Sequence, residues 1–552
     1  MNRFFKFGAI TVIVLGGVAA LAWSFRVPIA LEFVSIMMER RTGPIAQTRE
    51  IDWSSGADPQ NRPIEQRPPN IVLILADDLG FNDVTATGEG VGGMATPYID
   101  SIAQDGALFT NGYAANATCA PSRAALMSGR YATRFGYEFT PTPPGMMALA
   151  PMIPADENRM HDSVVHDADD DLAFEEKGMP PEEISIAELL KQRDYHTVHI
   201  GKWHLGRSNG MAAYDQGFDE SLLMASGLYD EEDSPNVVNA KQDFDPIDLF
   251  LWAAMQYSAQ FNGGPLFKPR GYLTDYYTDE AIKVIEANKD RPFFLYLAHW
   301  APHTPLQAKK EDYDALDHIA LHRERVYAGM IRSLDRGVGR VLQALKDQGL
   351  DDNTIVIFTS DNGGAGYIGL PDVNKPYRGW KISLFEGGIH VPYFIKWPAR
   401  IPAGTVVNDP VHHFDVYATI AAAAGAPLPG DRTMDGVDLV PHILQTAGDV
   451  PHRKLFWRSG ASQSALVDGW KLNVSETNKG VWLYNLREDP TEQNNLAQSH
   501  PEKLAEMQAE LKAWNDEQAE PRWPGQLTMP VNVDRDLSQP DQEDDDFIYW
   551  TN

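Results

Sequence analysis

Short apolar runs that recur between helical patterns constrain the fold of this chain more than any other feature. None of these runs alternates between apolar and polar residues, which is typical of strands buried on both faces of a sheet. The runs occupy residues 71–76, 197–200, 293–298, 354–359 and 391–395. Helical patterns lie between them, at 97–104, 184–193, 277–288 and 322–348. The alternation predicts an α/β fold with a large, mostly parallel sheet sandwiched by helices.

The length of the chain indicates more than one structural unit, because a single core rarely extends over 552 residues. The strand and helix patterns assign residues 69–450 to one main domain. Four short strand patterns and a helix pattern over 501–518 predict a smaller C-terminal α+β subdomain at 451–519. Residues 27–68, rich in Pro and Arg, are interpreted as a linker. Residues 520–552, rich in Pro and Asp, are interpreted as a weakly structured or surface-draped tail.

The charge of the chain is strongly negative, with a formal net charge of −30. This balance argues against a nucleic-acid partner, and it requires any site for an anionic ligand to be positive only locally. Two acidic insertions, at 152–181 and 228–270, interrupt the main domain. We expect them to be loops, either at the rim of a site or as solvated decoration.

The N-terminus carries an uncharged, mostly apolar run of nineteen residues between Lys6 and Arg26. A helix of that length nearly crosses the hydrocarbon core of a bilayer. Residues 1–26 are therefore predicted to be a signal peptide or a membrane anchor, and the sequence does not separate the two. Both alternatives predict that the bulk of the chain is exported, in a periplasmic, extracellular or lumenal location.

Cys119 is the single cysteine of the chain. Exported proteins usually form disulfides, yet this residue has no internal partner. Pro121 favours a helix that begins here, and a thiol at a helix N-terminus is poised to ionise. A reactive thiol and a small buried apolar residue are both open interpretations.

Polar residues follow the predicted strands where these end. In open α/β sheets the carboxyl ends of parallel strands meet at one edge, and ligands bind there. The carboxylates and the amide of this set are oxygen ligands that suit Ca²⁺ or Mg²⁺ rather than Zn²⁺. His299 is interpreted as structural, as are His412 and His413. The residues at the strand ends are Asp77 and Asp78, Lys202 and His204, His299 and His303, and Asp361 and Asn362.

The segment Cys119–Arg123 matches a C-x-P-S-R signature, and with it the chain resembles the type I sulfatases, the formylglycine-dependent arylsulfatase-like family with an alkaline phosphatase-like fold. Similarity to family segments, in family order, extends from about residue 69 to at least 400. A segment after residue 468 resembles the family's small closing subdomain. Segments that carry the resemblance include "PNIVLILADDLGFNDV", "GKWHLG", "APHTP" and "YRGWKISLFEGGIHVPYFIKWP".

The resemblance implies a sulfuric ester hydrolase that acts on an organic sulfate, with a sulfated carbohydrate favoured over an aryl sulfate. It implies that a formylglycine-generating enzyme oxidises Cys119 to Cα-formylglycine (3-oxoalanine), whose hydrate attacks sulfur. Arg123 and Lys202 would then stabilise charge, and His204 would accept the proton that lets sulfate leave. His303 and Lys381 would bind the sulfate and protonate the leaving oxygen. The implied ligands of Ca²⁺, with Mg²⁺ less favoured, are Asp77, Asp78, residue 119, Asp361 and Asn362.

Two features depart from the family pattern. Trp380 and Ile382 flank Lys381 where the family usually has small residues, which affects the expected shape of the pocket. The insertion at 152–181 is longer than a minimal member needs. Two alternatives to the sulfatase interpretation are a phosphoester or phosphonate hydrolase on the same fold and a non-catalytic glycan-binding relative.

Overall fold

The computed structural model describes residues 26–143, 146, 163–166, 171–242 and 244–552. The segment predicted to be a signal peptide or an anchor lies outside these residues except for Arg26, and its role stays a prediction. None of the helices in the described part combines the length and the apolar character that a membrane crossing needs.

The α-helices of the described residues, in chain order, are α1 (Arg26–Thr42), α2 (Pro97–Gln104), α3 (Cys119–Ser128), α4 (Ile186–Lys191), α5 (Pro246–Ala254), α6 (Leu273–Ala287), α7 (Lys310–Asp314), α8 (His322–Asp347), α9 (Glu386–Ile389), α10 (Phe414–Ala424), α11 (Val440–Ile443) and α12 (Pro501–Asn515).

The strands up to residue 412 are β1 (Asn70–Ala76), β2 (Ala107–Phe109), β3 (Gly112–Tyr113), β4 (Val164–Val165), β5 (His196–Gly201), β6 (Glu220–Gly227), β7 (Val237–Asn239), β8 (Tyr257–Phe261), β9 (Leu266–Phe267), β10 (Phe293–Ala298), β11 (Gln307–Lys309), β12 (Thr354–Ser360), β13 (Tyr393–Lys396), β14 (Thr405–Val407) and β15 (Val411–His412). Those after it are β16 (Lys454–Ser459), β17 (Ser462–Val467), β18 (Trp470–Ser475), β19 (Gly480–Asn485), β20 (Leu527–Asn532) and β21 (Phe547–Thr551).

Ten strands form the central sheet, in the order β14-β2-β13-β12-β1-β10-β5-β6-β8-β9. Its middle, from β12 to β6, is entirely parallel. Every residue of β1, β5, β10 and β12 is buried, as the missing alternation predicted. Strand β13, by contrast, runs antiparallel to β12. The segment between these two strands stays at the carboxyl edge of the sheet, so the chain enters β13 from the edge where it left β12.

Helices cover both faces of this sheet. Ile71, Leu73 and Leu75 of β1 pack in one cluster with α3, α4 and α10. Val72, Ile74 and Ala76 point the other way, into a cluster with α2, α6 and α8. The predicted fold class, a mostly parallel sheet between helical layers, is confirmed.

The C-terminal part contains an antiparallel sheet of four strands, β16 to β19 in sequence order. Helix α12 packs against it through Met507, Leu511 and Trp514. Residues 451–515 thus have the predicted α+β character, and the helix begins at Pro501 as expected and ends at Asn515, three residues before the expected bound.

The structure differs from the prediction of a linker at 27–68. Helix α1 occupies its first half and packs through Val34 against Phe250 and Leu251 of α5. Farther along, Trp53 is 7% exposed and its indole N–H donates to Glu280 Oε2 at 2.7 Å. The segment is polar in overall composition, but a few of its side chains are apolar and pack against the main domain.

The tail and the second insertion also differ from expectation. In the tail, β20 pairs with β21 and with β4 from the first insertion. Two apolar stretches flank an acidic loop there, and the composition of the loop dominated the prediction. The second insertion contributes α5, together with β8 and β9, which extend the central sheet. Both segments therefore contain regular secondary structure rather than only loops.

We expect Trp53→Ala to lower the free energy of unfolding by about 3–5 kcal/mol, because it removes a buried aromatic ring and leaves Glu280 without its indole donor. Ile64→Ala is the matched control in the same segment, since Ile64 is 43% exposed, and should change it by less than about 0.5 kcal/mol. Denaturant unfolding followed by fluorescence measures both. Equal, small effects would mean that this segment is only a linker.

Candidate active site

The carboxylates predicted to share a site follow two neighbouring strands. Strands β1 and β12 are parallel and in register, with Ala76 opposite Ser360. Asp77 and Asp78 therefore leave the sheet beside Asp361 and Asn362, and all four side chains are buried. The backbone N–H of Asp78 donates to Asp361 Oδ1 at 3.2 Å, which ties the two strand ends together.

Arg123, on the first turns of α3, is fully buried between these strand ends. Its Nη2 lies 3.0 Å from Asp77 Oδ2 and 2.8 Å from Asp361 Oδ2. Its Nη1 donates to the carbonyl of Lys202 at 2.9 Å. One guanidinium thus joins β1, β12 and the turn after β5, because its five N–H donors can serve several acceptors at once.

Two lysines approach the carboxylates from different loops. Lys202 Nζ lies 2.6 Å from Asp77 Oδ2 and 4.6 Å from the centre of the Trp300 ring. Lys381 Nζ donates to Asp78 Oδ2 at 2.8 Å. Burial lowers the pKa of Lys381, but Asp78 and the other acidic groups around it, Cys119, Tyr367 and Asp77, together outweigh burial and raise the pKa well above the ordinary value. Lys381 therefore keeps its proton over the physiological pH range.

Cys119 begins α3 and faces the carboxylates. Its Sγ lies 3.5 Å from Asp77 Oδ1 and 3.8 Å from Asp78 Oδ1. Burial, with the charge of Asp361, raises the pKa of the thiol well above its ordinary value. Of the two open interpretations, this environment favours a neutral, buried side chain over an ionised thiol, because desolvation and neighbouring carboxylates oppose ionisation.

His303 is held by contacts on both sides of its ring. Nδ1 lies 2.6 Å from the carbonyl of Thr304, and the ring stacks on Trp300 with centroids 3.9 Å apart. Since a carbonyl only accepts, Nδ1 carries the proton, and Nε2 faces Lys381 Nζ at 3.3 Å as an acceptor. Burial and the charge of Lys381 hold the pKa of His303 well below its ordinary value.

His204 is also neutral and lies near the same buried charged groups. Burial and then the charges of Lys202 and Arg123 hold its pKa well below the ordinary value. Its buried Nδ1 has no hydrogen-bond partner among the described residues. Its backbone has φ 63°, in the left-handed region that few non-glycine residues adopt and that is common at functional sites.

The other histidines are structural where they have partners. His413 Nδ1 lies 3.1 Å from Ser122 Oγ of α3, and Nε2 lies 3.3 Å from Thr359 Oγ1. His299 is fully buried, and burial lowers its pKa to about 4.

Sequence reasoning missed Tyr367 and Trp300. The Tyr367 hydroxyl donates to Asp78 Oδ2 at 2.9 Å and accepts from Lys381 Nζ at 2.9 Å. Its position six residues after Asp361, in a glycine-rich turn, was the available signal. Trp300 contacts both Lys202 and His303, and its position directly after His299 was the corresponding signal.

The carboxylates can hold a metal ion. Ligand atoms of Asp77, Asp78, Cys119 and His303 all lie within 4.8 Å of one another. The amide oxygen of Asn362 is buried and has no hydrogen-bond partner among the described residues, so an acceptor stands ready beside them. Burial and the charge of Asp361 raise the pKa of Asp77 to about 7. A bound cation would favour the ionised carboxylate and lower this pKa. These residues fit a cation with oxygen ligands.

Comparisons with known proteins agree with this geometry. The Sulfatase family model matches residues 69–426. The N-acetylgalactosamine-6-sulfatase of Canis lupus familiaris is 33% identical over 413 residues, which cover 73% of this chain and 71% of that protein. The steryl-sulfatase of Mus musculus is 32% identical and covers 72% of this chain and 69% of its own.

A solved structure shows the same architecture. The crystal structure of Ps i-CgsB in complex with k-i-k-neocarrahexaose superposes with a TM-score of 0.67 at 31% sequence identity. The match covers 83% of this chain and 95% of that one. The chain therefore belongs to the sulfatase family, and it is a sulfatase.

Proposed function

We propose that this sulfatase hydrolyses sulfate esters of carbohydrates, with a Cα-formylglycine made from Cys119 and a calcium ion held by Asp77, Asp78, Asp361 and Asn362. The observation that carries the proposal is the position of Cys119. Its Sγ lies within 4 Å of two carboxylates, beside a buried guanidinium and two ammonium groups. A non-catalytic glycan-binding protein has no use for so many buried charges.

The charges of the site support a bound cation. Asp77, Asp78 and Asp361 are balanced one for one by Arg123, Lys202 and Lys381. This set is formally neutral, and the surrounding protein is strongly acidic. A sulfate monoester, which is an anion, therefore needs one more source of positive charge. Bound calcium would neutralise the carboxylates and polarise the sulfate oxygens.

Burial of Cys119 limits when it can be modified. Every residue of α3, including Cys119, is buried in the folded chain. A maturase must therefore act on Cys119 before the segment folds. The aldehyde would supply, as its hydrate, an attacking hydroxyl and a second hydroxyl through which sulfate is expelled. An exported location remains the expectation from residues 1–26.

Lys381 is the proton donor that the geometry favours for the leaving alcohol. Its ammonium stays protonated, whereas His303 Nε2 accepts a hydrogen bond from it and has no proton to give. The role of His303 is then to orient Lys381 and the sulfate, while Lys202 and Arg123 stabilise negative charge. This divides the donor role that the family pattern assigns jointly to His303 and Lys381.

His204 suits the role of a general base. It is neutral, and its Nδ1 is free of hydrogen bonds to the described residues. Burial, together with nearby Lys202 and Arg123, lowers its pKa and so prevents it from holding a proton for long. A base of this kind accepts a proton as sulfate leaves and then releases it to solvent.

The carbohydrate part of the proposal rests on two relatives. The curated relative at 33% identity is a sulfatase of a sulfated amino sugar, and the solved structure at 31% identity holds a neocarrahexaose. A steryl-sulfatase is 32% identical, so the alcohol of the substrate has to be tested directly.

We expect sulfate release from at least one sulfated oligosaccharide, with kcat/KM at least about tenfold above that for a steroid sulfate. The panel contains N-acetylgalactosamine-6-sulfate, carrageenan oligosaccharides, a steroid sulfate, 4-nitrophenyl sulfate and 4-nitrophenyl phosphate. Cys119→Ala is the matched control and should fold but show negligible turnover. Faster hydrolysis of the steroid sulfate would refute the carbohydrate assignment, and faster hydrolysis of the phosphate would refute the sulfate preference.

Removal of divalent cations should lower kcat/KM for 4-nitrophenyl sulfate by about 100-fold or more. Without the cation, the side chains of the site sum to zero charge and no longer attract the anionic substrate. Dialysis against EGTA followed by elemental analysis measures the calcium content. Added Ca²⁺ should restore turnover and raise the midpoint of thermal unfolding, and Mg²⁺ should do so less well. Full activity in protein free of bound calcium would contradict the assignment.

A further inference from the structure

The loop that carries Lys381 is strained on one side of the lysine. Ile382 has φ 84°, a left-handed conformation that a β-branched side chain rarely adopts. Gly379, two residues before Lys381, has φ 82°, which glycine adopts without strain because it has no Cβ. Strained backbone of this kind persists only where its surroundings fix it. The contacts that hold this loop therefore bear directly on where the ammonium of Lys381 lies.

Arg378 fastens the loop to the C-terminal tail. Its guanidinium donates to Asp534 Oδ1 at 2.6 Å, to Asp534 Oδ2 at 2.9 Å and to Asp546 Oδ2 at 2.6 Å. It also donates to the hydroxyl of Tyr484 in the C-terminal subdomain at 2.9 Å. Arg378 is thus a bidentate anchor three residues before Lys381.

Trp380 makes the second connection to the tail. Its indole N–H donates to the carbonyl of Asn532, at the end of β20, at 2.9 Å. The ring also covers Gly366, where a Cβ would lie 2.4 Å from it. A smaller side chain at 380, as the family pattern has, could not reach the tail.

The tail also contacts the turn that carries Tyr367. The backbone N–H of Leu537 donates to the carbonyl of Gly366 at 3.3 Å. Tyr367 and Lys381 share a hydrogen bond, and both donate to Asp78. Tail residues therefore support both Tyr367 and Lys381, which reach Asp78 from different loops.

We infer that the tail clamp, defined as Asn532, Asp534, Leu537 and Asp546, is a positioning element that holds Lys381 and Tyr367 in place beside Asp78. The inference rests on the proposed role of Lys381 as sulfate ligand and proton donor. None of the four residues of the tail clamp is assigned a contact with the reacting atoms. They act through Arg378, Trp380 and Gly366.

The test combines two variants that loosen the tail clamp in different ways. Asp534→Asn with Asp546→Asn removes the charges that Arg378 binds, and Trp380→Phe removes the indole donor but keeps an aromatic ring. Each should lower kcat/KM for 4-nitrophenyl sulfate by about tenfold and raise the inhibition constant of inorganic sulfate, since small displacements of a positioned group are costly. A purely structural role would lower stability without changing that constant.

Asn478→Ala is the matched control, because Asn478 donates to the tail at Phe547 O, at 2.6 Å, without contacting the Lys381 loop. Its kcat/KM should stay within about twofold of the unaltered protein. If it falls as far as in the clamp variants, any loosening of the tail lowers activity and the specific inference is wrong.

A double-mutant cycle with Lys381→Ala separates the inference from the proposed function. In the Lys381→Ala background the clamp variants should lower the residual turnover by less than about twofold, because the group they position is gone. Equal losses in both backgrounds would overturn the positioning role alone. Unchanged turnover in Lys381→Ala itself would instead overturn the proposed role of Lys381, and the clamp with it.

Discussion

The guanidinium of Arg123 joins the two strand ends from which the site is built. It is fully buried, and Asp77 and Asp361 compensate its charge on either side. Removing one partner from a buried ion pair typically costs about 3–5 kcal/mol, because the other charge is left unpaired in a poorly solvating interior. The same residue lies one turn after Cys119, so the contact that fixes the strand ends also fixes where residue 119 faces them. The position of residue 119 and the integrity of the sheet edge thus depend on one interaction.

Charge explains how an acidic protein can act on an anion. The buried carboxylates and cations at the strand ends cancel, so the site by itself has no net attraction for sulfate. The calcium ion of the proposed function would supply it, and substrate binding would then depend on metal binding. The two lysines are meanwhile held by Asp77 and Asp78 in positions from which they can turn to the substrate. A neutral His204 and a protonated Lys381 coexist at one pH, because their surroundings shift their pKa values in opposite directions. In the proposed function they would serve as base and acid.

Much of the fold and of the candidate site could be predicted from the sequence, because apolar runs without alternation specify buried parallel strands and these place their following residues together. Asp77 and Asp361 are 284 positions apart along the chain, and the pairing of β1 with β12 brings them together. A few isolated apolar residues form no periodic pattern, so their packing could not be predicted from the sequence. The segment around Trp53 and the tail strands were missed for this reason. The side-chain network of Tyr367 was missed for the same reason, since a single tyrosine in a loop has no periodic pattern. The state of the Cys119 thiol stayed open, because local helix geometry can be predicted from the sequence and the surrounding carboxylates cannot.

The chemical state of residue 119 is the centre of this account. Peptide mass spectrometry of the active protein tests it most directly, when the same preparations are assayed for sulfate release. A formylglycine nucleophile requires a peptide in which the thiol of Cys119 is replaced by an aldehyde, with specific activity proportional to the converted fraction. Full sulfatase activity in a preparation whose Cys119 is entirely an unmodified thiol would contradict it.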